Sequence, residues 1–265
     1  MWYNLFGDNM IVKEIKIKKK NVEVICSENI VFELSLDTYS SNYILIGESI
    51  DQRRINELKK SDEISKIKAE LINKISRKRL SKKECFNYLS SSNLKDEIVN
   101  KIISDLEKSG FINDVDLAES IVISCLVNKK GVTKMKEALL KRYVSGNYDE
   151  YIEKFNDRDR YINNIKYLVD KYIKLGKKNS NSVMKQYVIA KLVNNGYLKD
   201  EVFSYIELPQ RDEKAIVEEE IAKFFKTKDR NEQNIAKITR KLLSKGFNYA
   251  IIKSAIERSV NCEIN

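Results

Sequence analysis

The chain carries two hydrophobic periods in succession. From Ile11 the pattern has a period of two: "IVKEIKIK" sets Ile11, Lys13, Ile15 and Ile17 against their neighbours, "KKN" supplies a polar turn, and "VEVIC" and "IVFELSL" continue in β-branched and aromatic residues. This predicts a small β-meander ending near Asp37, with "YILIG" as one further strand. Beyond it the period changes to 3.6 and stays there to the end.

The helical part repeats itself. "AKLVNNGYLKDEVFSYIE" aligns with "RKLLSKGFNYAIIKSAIE" so that Leu192 matches Leu242, Gly196 Gly246, Tyr197 Phe247, Val202 Ile252 and Ile206 Ile256, at an offset of about 50 residues. An earlier copy places Leu89, Asn93, Leu94, Val99 and Ile103 in the same slots, and a looser one puts Tyr143 where the glycine stands and Val144 after it. The logic of each copy is a helix ended by a residue in the left-handed conformation, with a following apolar side chain folded back on the last turn. Gly196 and Gly246 are therefore cap residues.

With an amphipathic stretch upstream of each capped helix, every unit reads as three helices. The first uses residues 62–76, 81–92 and 95–108, and the second 114–127, 132–143 and 148–155. Further units cover about 157–207 and 211–257, with Pro209 at the boundary between them. The expected organisation is a β extension at 1–60 followed by three-helix repeats at 61–113, 114–156, 157–209 and 210–265. Three short helices cannot bury their apolar faces alone, so the units must stack, which predicts a mainly α fold drawn out as an elongated, curved array.

Composition agrees. Only 8 Gly and 1 Pro in 265 residues disfavour a sheet-rich fold, and 42% hydrophobic residues suffice for a core. The formal charge of +10 favours nucleic acid, an acidic protein groove or a membrane surface as partner, although a chain rich in Lys, Ile and Asn owes part of that excess to codon bias. No run of roughly 18 apolar residues suggests a membrane span. The opening "MWYNLFGDNM" lacks the basic start and cleavage site of a signal peptide. The absence of histidine removes the commonest general base and metal ligand. Cys26, Cys85, Cys125 and Cys262 form no C-x-x-C pair; scattered thiols suit a reducing cytoplasm, and Cys85 and Cys125 are expected to be buried within helices.

Phosphate-loop, dinucleotide and nucleophile-elbow motifs are all missing, so no catalytic residue, cofactor or metal site is expected. The carboxylates of "EKAIVEEEI" read as a solvated helix face.

One stretch asks for more. "SRKRLSKKECFNYL" places Arg77, Lys78, Arg79, Lys82 and Lys83 just before an amphipathic run. Ser81 and Glu84 form a capping box, worth about 1 kcal/mol to the helix start. Lys82 and Lys83, in a first turn, oppose the helix dipole, which leaves a polyanionic partner as a candidate for holding them.

At these residues the chain resembles the RecX family of recombination regulators. Arg77, Ser81 and Glu84 match the signature opening its first repeat, Gly110, Phe111, Ile112, Asp114 and Ala118 match its Gly-aromatic-Ile-x-Asp-x-x-x-Ala segment, and "NKKGVTKMKEALLKR" resembles the segment leading into the second repeat. Cys85 stands where the family usually has leucine, and Tyr143 where it has glycine. The resemblance covers nearly the whole chain, in the long form of Gram-positive bacteria. It implies a monomeric, non-enzymatic protein that binds the RecA recombinase and its nucleoprotein filament, occupies the filament groove and restrains ATPase and strand exchange, with single- or double-stranded DNA as a further partner and no membrane. The contacts are expected on Arg77, Lys78, Arg79, Lys82 and Lys83, then Lys129, Lys130, Lys134, Lys141 and Arg142, with Lys177 and Lys178 extending the stripe. Lys134 and Lys141 share a helix face opposite Met135, Leu139 and Tyr143. The alternative is a helical-repeat protein that binds DNA or RNA directly; a hydrolase is disfavoured by the missing histidine and phosphate loop.

Overall fold

The computed structural model describes residues 9–207 and 209–261; residues 1–8, Leu208 and the end from Cys262 lie outside it, as do the side chains of Val260 and Asn261. The described fold is mainly α, with a small antiparallel sheet near its start. It divides into two compact units, one formed by the chain up to Leu117 with Arg142–Ser145, the other by Ala118–Lys141 and the chain from Gly146.

In the first unit β1 (Met10–Ile17), β2 (Asn21–Cys26), β3 (Val31–Ser35) and the short β4 (Ser49–Ile50) form a sheet of order β3-β2-β1-β4. Val22, Val24 and Cys26 of β2 and Phe32 and Leu34 of β3 point to one face and are buried, as alternation requires. In β1 the inward residues are Met10 and Val12, while Ile11 and Ile17 are exposed. A bulge between Val12 and Glu14 then inserts one residue and reverses the parity, so that Ile15 packs on the same core as Val12; Ile17 shares that parity, opposite Val22, but lies exposed at the strand's end.

"YILIG" forms no strand. Ser35 caps the short α1 (Leu36–Asn42), Tyr43 ends it in the left-handed region, and of the apolar run only Ile44 is buried while Leu45 and Ile46 face solvent. Helix α2 (Gln52–Arg77) starts ten residues earlier than expected, capped by Asp51, which accepts from Arg54 N. Its first half lays Ile55 and Leu58 on the sheet, and its second half lays Leu71 and Ile75 against α3 (Lys82–Ser90) and α4 (Asp96–Lys108). Asp62, which looked like a helix start, is buried mid-helix; it accepts from Ser35 N at 2.6 Å and pairs with Lys66 at 2.7 Å.

Cys85, Leu89, Val99, Ile102, Ile103, Leu106 and Ile112 complete the helical core of this unit. Each such side chain contributes about 1.5–3 kcal/mol through burial. The last turn of α4 closes through Gly110, at φ +75°, and Ile112 folds back with its N–H on Leu106 O. Burial pushes the Cys85 thiol up to about 12 and also raises that of Cys26.

Helix α5 (Asp114–Val127) begins in the first unit and continues in the second, which also contains α6 (Val132–Lys141), α7 (Tyr148–Phe155), α8 (Arg158–Gly176), α9 (Asn181–Asn194), α10 (Lys199–Tyr205), α11 (Glu213–Phe225), α12 (Glu232–Ser244) and α13 (Tyr249–Asn261). Met135, Leu139, Ile165, Met184, Val188, Leu192 and Val202 are buried between them, and Val217, Ile221, Ile238, Leu242, Phe247 and Ile252 form the last core. Cys125 is only half-buried, short of the full burial expected of it.

Helices α9 and α12 end as the repeat pattern requires, with Gly196 at φ +92° and Gly246 at φ +83°. Both glycines also allow close approach. Gly131 N–H donates to Asn195 O and Thr133 N–H to Gly196 O, joining the start of α6 to the end of α9, and Ser180 N–H donates to Lys245 O, joining the start of α9 to the end of α12. Tyr143 holds the equivalent left-handed position after α6, at φ +51°, with its side chain exposed rather than on the apolar face with Met135 and Leu139.

The carboxylates of α11 are not one solvated face. Glu220 is buried and pairs with Lys245 at 2.6 Å and Lys241 at 3.7 Å, while Glu218 pairs with Arg258 and Glu219 with Lys223. No described helix is long and apolar enough to cross a membrane.

Candidate functional site

The cationic stretch around α3 is tied into the first unit through three carboxylates. The capping box forms: Ser81 Oγ accepts from Glu84 N at 3.1 Å, and Ser81 N donates to Glu84 Oε2 at 2.9 Å. Arg142 then clasps the same carboxylate, Nε to Oε1 at 2.7 Å and Nη2 to Oε2 at 2.9 Å, and also donates to Arg79 O. Burial opposes ionisation of Glu84, but the hydrogen bonds from Arg142 and the Ser81 amide outweigh it and hold the carboxyl below its ordinary value.

Asp114 is the second carboxylate. Its Oδ1 accepts from Lys82 N at 2.8 Å, and its Oδ2 accepts from Ser145 N and Ser145 Oγ at 2.8 and 2.6 Å. The third is Glu107, 2.9 Å from Lys82 Nζ. Charge at the start of α3 is thus met internally: Glu84 and Asp114 supply the negative ends that a helix N-terminus favours, and Glu107 compensates Lys82. The sequence offered a polyanion for this purpose; for Lys82 the chain's own carboxylates suffice.

What stays open to solvent is a cationic rim. Arg77, Lys78, Arg79, Lys82 and Lys83 are exposed, with Arg79 donating to Asp116 O at 3.2 Å and Lys83 Nζ lying 4.8 Å from the Phe86 ring centre. Arg142, expected among the contact residues of the second repeat, lies beside this rim and is half-buried. Beside the rim lies an open hollow of about 280 Å³ lined by Lys82, Lys83, Phe86, Asp114, Tyr143 and Ser145.

The remaining expected cations belong to the second unit. Lys129 lies over the Tyr167 ring, Lys130 Nζ donates to Asn195 Oδ1 at 3.2 Å, Lys134 pairs with Glu137 at 2.6 Å, and Lys141 is exposed. Lys177 and Lys178 are exposed on an open hollow of about 360 Å³ that Arg211, Glu219, Glu220 and Lys223 share. Arg211 reinforces the loop by donating to Asn179 O and Lys177 O. Among the described residues no group of three or more His, Cys, Asp or Glu is placed to hold a metal ion.

The sequence missed the partners of these cations. Asp114 was legible as a motif position but not as the link between α3 and Ser145, and Phe86 and Tyr143 gave no sign that they would share a hollow.

No family model matches the chain. The regulatory protein RecX of Listeria monocytogenes serotype 4a is 24% identical over 259 residues, spanning 92% of this chain and 95% of its own. That of Staphylococcus aureus is 21% identical over 260 residues, spanning 94% and 95%. A crystal structure of regulatory protein RecX superposes with a TM-score of 0.62 at 16% identity, over 74% of this chain and 97% of that one. RecX from Lactobacillus salivarius superposes with 0.52 at 23% identity, over 55% and 95%. The two structures speak for the fold alone.

Proposed function

We propose that the chain, similar over more than nine-tenths of its length to RecX regulatory proteins, belongs to that family and acts without catalysis, by binding the RecA recombinase as a nucleoprotein filament and restraining its ATPase and strand exchange. The observation that carries this reading is the exposed cationic rim of Arg77, Lys78, Arg79 and Lys83, which runs from the end of α2 to the capped start of α3 and is left over after Glu84, Asp114 and Glu107 have been satisfied inside the fold. A surface that keeps cations in excess of its own carboxylates suits a negatively charged partner.

In this reading the helices are four tandem repeats, 61–113, 114–156, 157–209 and 210–265, each bringing weak contacts to successive protomers of a periodic assembly. Linked contacts of that kind add to an affinity none has alone. Lys129, Lys130, Lys134 and Lys141 supply the second repeat's share, Lys177 and Lys178 the third's. The protein works as a monomer in the cytoplasm.

The test is a titration of RecA ATPase on single-stranded DNA with the full chain. Inhibition that saturates at less than one chain per RecA protomer is expected; turnover unaffected at any ratio overturns the reading.

A further inference from the structure

Three candidates stand outside the reading above: the exposed apolar turn of Tyr43, Leu45 and Ile46, the hollow around Lys177 and Arg211, and the hollow beside α3. Nothing in the structure says what would cover the first. The second sets four cations against Glu219 and Glu220, but nothing in its lining selects one partner. The third carries an argument.

We propose that the hollow lined by Phe86 and Tyr143 is a stacking shelf for an unpaired base of single-stranded nucleic acid, with Lys83 and the rim at Arg77 and Lys78 on the flanking phosphates. The first support is the backbone of Tyr143. It takes φ +51°, a conformation L side chains rarely adopt, at the position where α9 and α12 use Gly196 and Gly246. At those two glycines a Cβ would strike Lys134 or Val183, so glycine is obligatory. After α6 the backbone accepts a side chain, and the residue there is a large aromatic left 57% exposed, at a conformational cost that glycine would avoid.

The second support is the composition of the hollow. Phe86 and Tyr143 supply aromatic surface, and Lys83 on its edge brings positive charge, Lys82 being paired with Glu107. Its acidic group, Asp114, already accepts three hydrogen bonds from Lys82 and Ser145. Aromatic faces beside a cationic track are the means by which proteins bind single strands without reading sequence, since every base has a π-face and every linkage a phosphate. An acidic peptide with an apolar anchor would meet the same charges, but an aromatic held exposed in a strained backbone suits the flat face of a base. This inference goes beyond the filament reading by placing an unpaired base on named side chains, where the resemblance implies only DNA as a further partner.

The experiment uses the full chain and two fluorescein-labelled probes of equal length, an oligo-dT and its abasic counterpart, followed by anisotropy over a salt series. The oligo-dT should bind about ten-fold more tightly than the abasic strand, and Tyr143→Gly should remove that difference while leaving abasic binding unchanged. Tyr143→Gly should also leave the salt slope intact, whereas Lys83→Glu should reduce it by about one. Because glycine is the residue that ends α9 and α12 at the equivalent position and meets no strain at positive φ, Tyr143→Gly should melt no lower than wild type, so a lost fold cannot explain a lost base preference. Equal affinity for the two probes, no binding of either, or an undiminished preference in Tyr143→Gly overturns the proposal. So does a Tyr143→Gly variant that binds oligo-dT normally but no longer binds DNA-free RecA, which would assign the shelf to a protein side chain. RecA inhibition that survives Tyr143→Gly while the base preference disappears upholds the shelf and leaves the filament reading standing on its own test.

Discussion

Arg142 and Glu84, far apart in sequence, meet as a two-pronged ion pair with both side chains only 21% exposed. The pair fastens the segment after α6 to the capping box of α3, since Glu84 also binds the Ser81 amide and Arg142 also binds Arg79 O. Arg142 is therefore better understood as a clamp within the first unit than as a free cation awaiting a partner.

Arg142→Ala should accordingly lower stability by about 1–3 kcal/mol, because it removes a charge-assisted fork and leaves a half-buried carboxylate short of donors. Arg142→Lys should recover only part of this, since an ammonium cannot match both carboxylate oxygens at once. Urea denaturation followed by circular dichroism measures both. Variants at Arg142 that retain full stability would show the clamp to be idle.

The exposed rim should behave in the opposite way. Arg77→Glu, Lys78→Glu and Lys83→Glu together replace side chains that solvent already surrounds, so helicity and melting should change little. Inhibition of RecA ATPase should weaken by about ten-fold or more if these charges face the filament, and more so at low salt, where screening is least. Unaltered inhibition by a folded triple variant would remove this face from the interaction.

The helices were legible in the sequence because their signals are local. The caps at Ser81, Gly196 and Gly246 and the 3.6-residue period around Leu192 and Leu242 are properties of a few neighbouring residues. The start of α2 was not legible, because "QRRINELKK" offers only Ile55 and Leu58 as apolar positions, and both owe their burial to the sheet. The bulge in β1 was hidden for a similar reason: its effect on Ile11 and Ile15 is a matter of register against β2. In the candidate site, charge was visible and pairing was not. Arg142, Lys82 and Glu220 look like surface charges until the chain brings Glu84, Glu107 and Lys245 beside them.

Gly131 tests the stacking of successive helical elements. A Cβ there would lie 2.3 Å from the carbonyl of Gly196 and from Tyr197 N, all backbone atoms that cannot rotate away. Gly131→Ala should therefore force α6 and the end of α9 apart, break the bonds from Gly131 N and Thr133 N, and cost about 1–3 kcal/mol by thermal melting. Leu192→Asp, one turn before the same junction and fully buried, should cost several kcal/mol more through an unpaired interior charge. A Gly131→Ala protein with wild-type stability would mean that the two segments are not in contact in solution.

Acid should loosen the fold through its buried carboxylates. Burial works against ionisation of Glu220, yet the hydrogen bond from Lys245 and the charges of Lys245, Lys241 and Lys178 prevail, so its carboxyl sits below the ordinary value; Glu84 and Asp62 are shifted the same way by Arg142 and Lys66 respectively. A carboxyl whose folded value is depressed binds its proton more readily in the unfolded chain. Its contribution is complete above the unfolded values, about 4.3 for Glu and 3.9 for Asp, and fades as pH falls through the lower folded ones. Urea midpoints should hence be flat from about pH 7 to 5 and fall steeply below about pH 4. Glu220→Gln should lower stability at neutral pH, because Lys245, only 18% exposed on its side chain, loses its counter-charge. The same variant should show a shallower decline toward acid, since one of the protons taken up on unfolding is gone. A decline as steep as that of wild type would mean that Glu220 titrates alike in the folded and unfolded chains, and that the Lys245 pair does not hold it ionised.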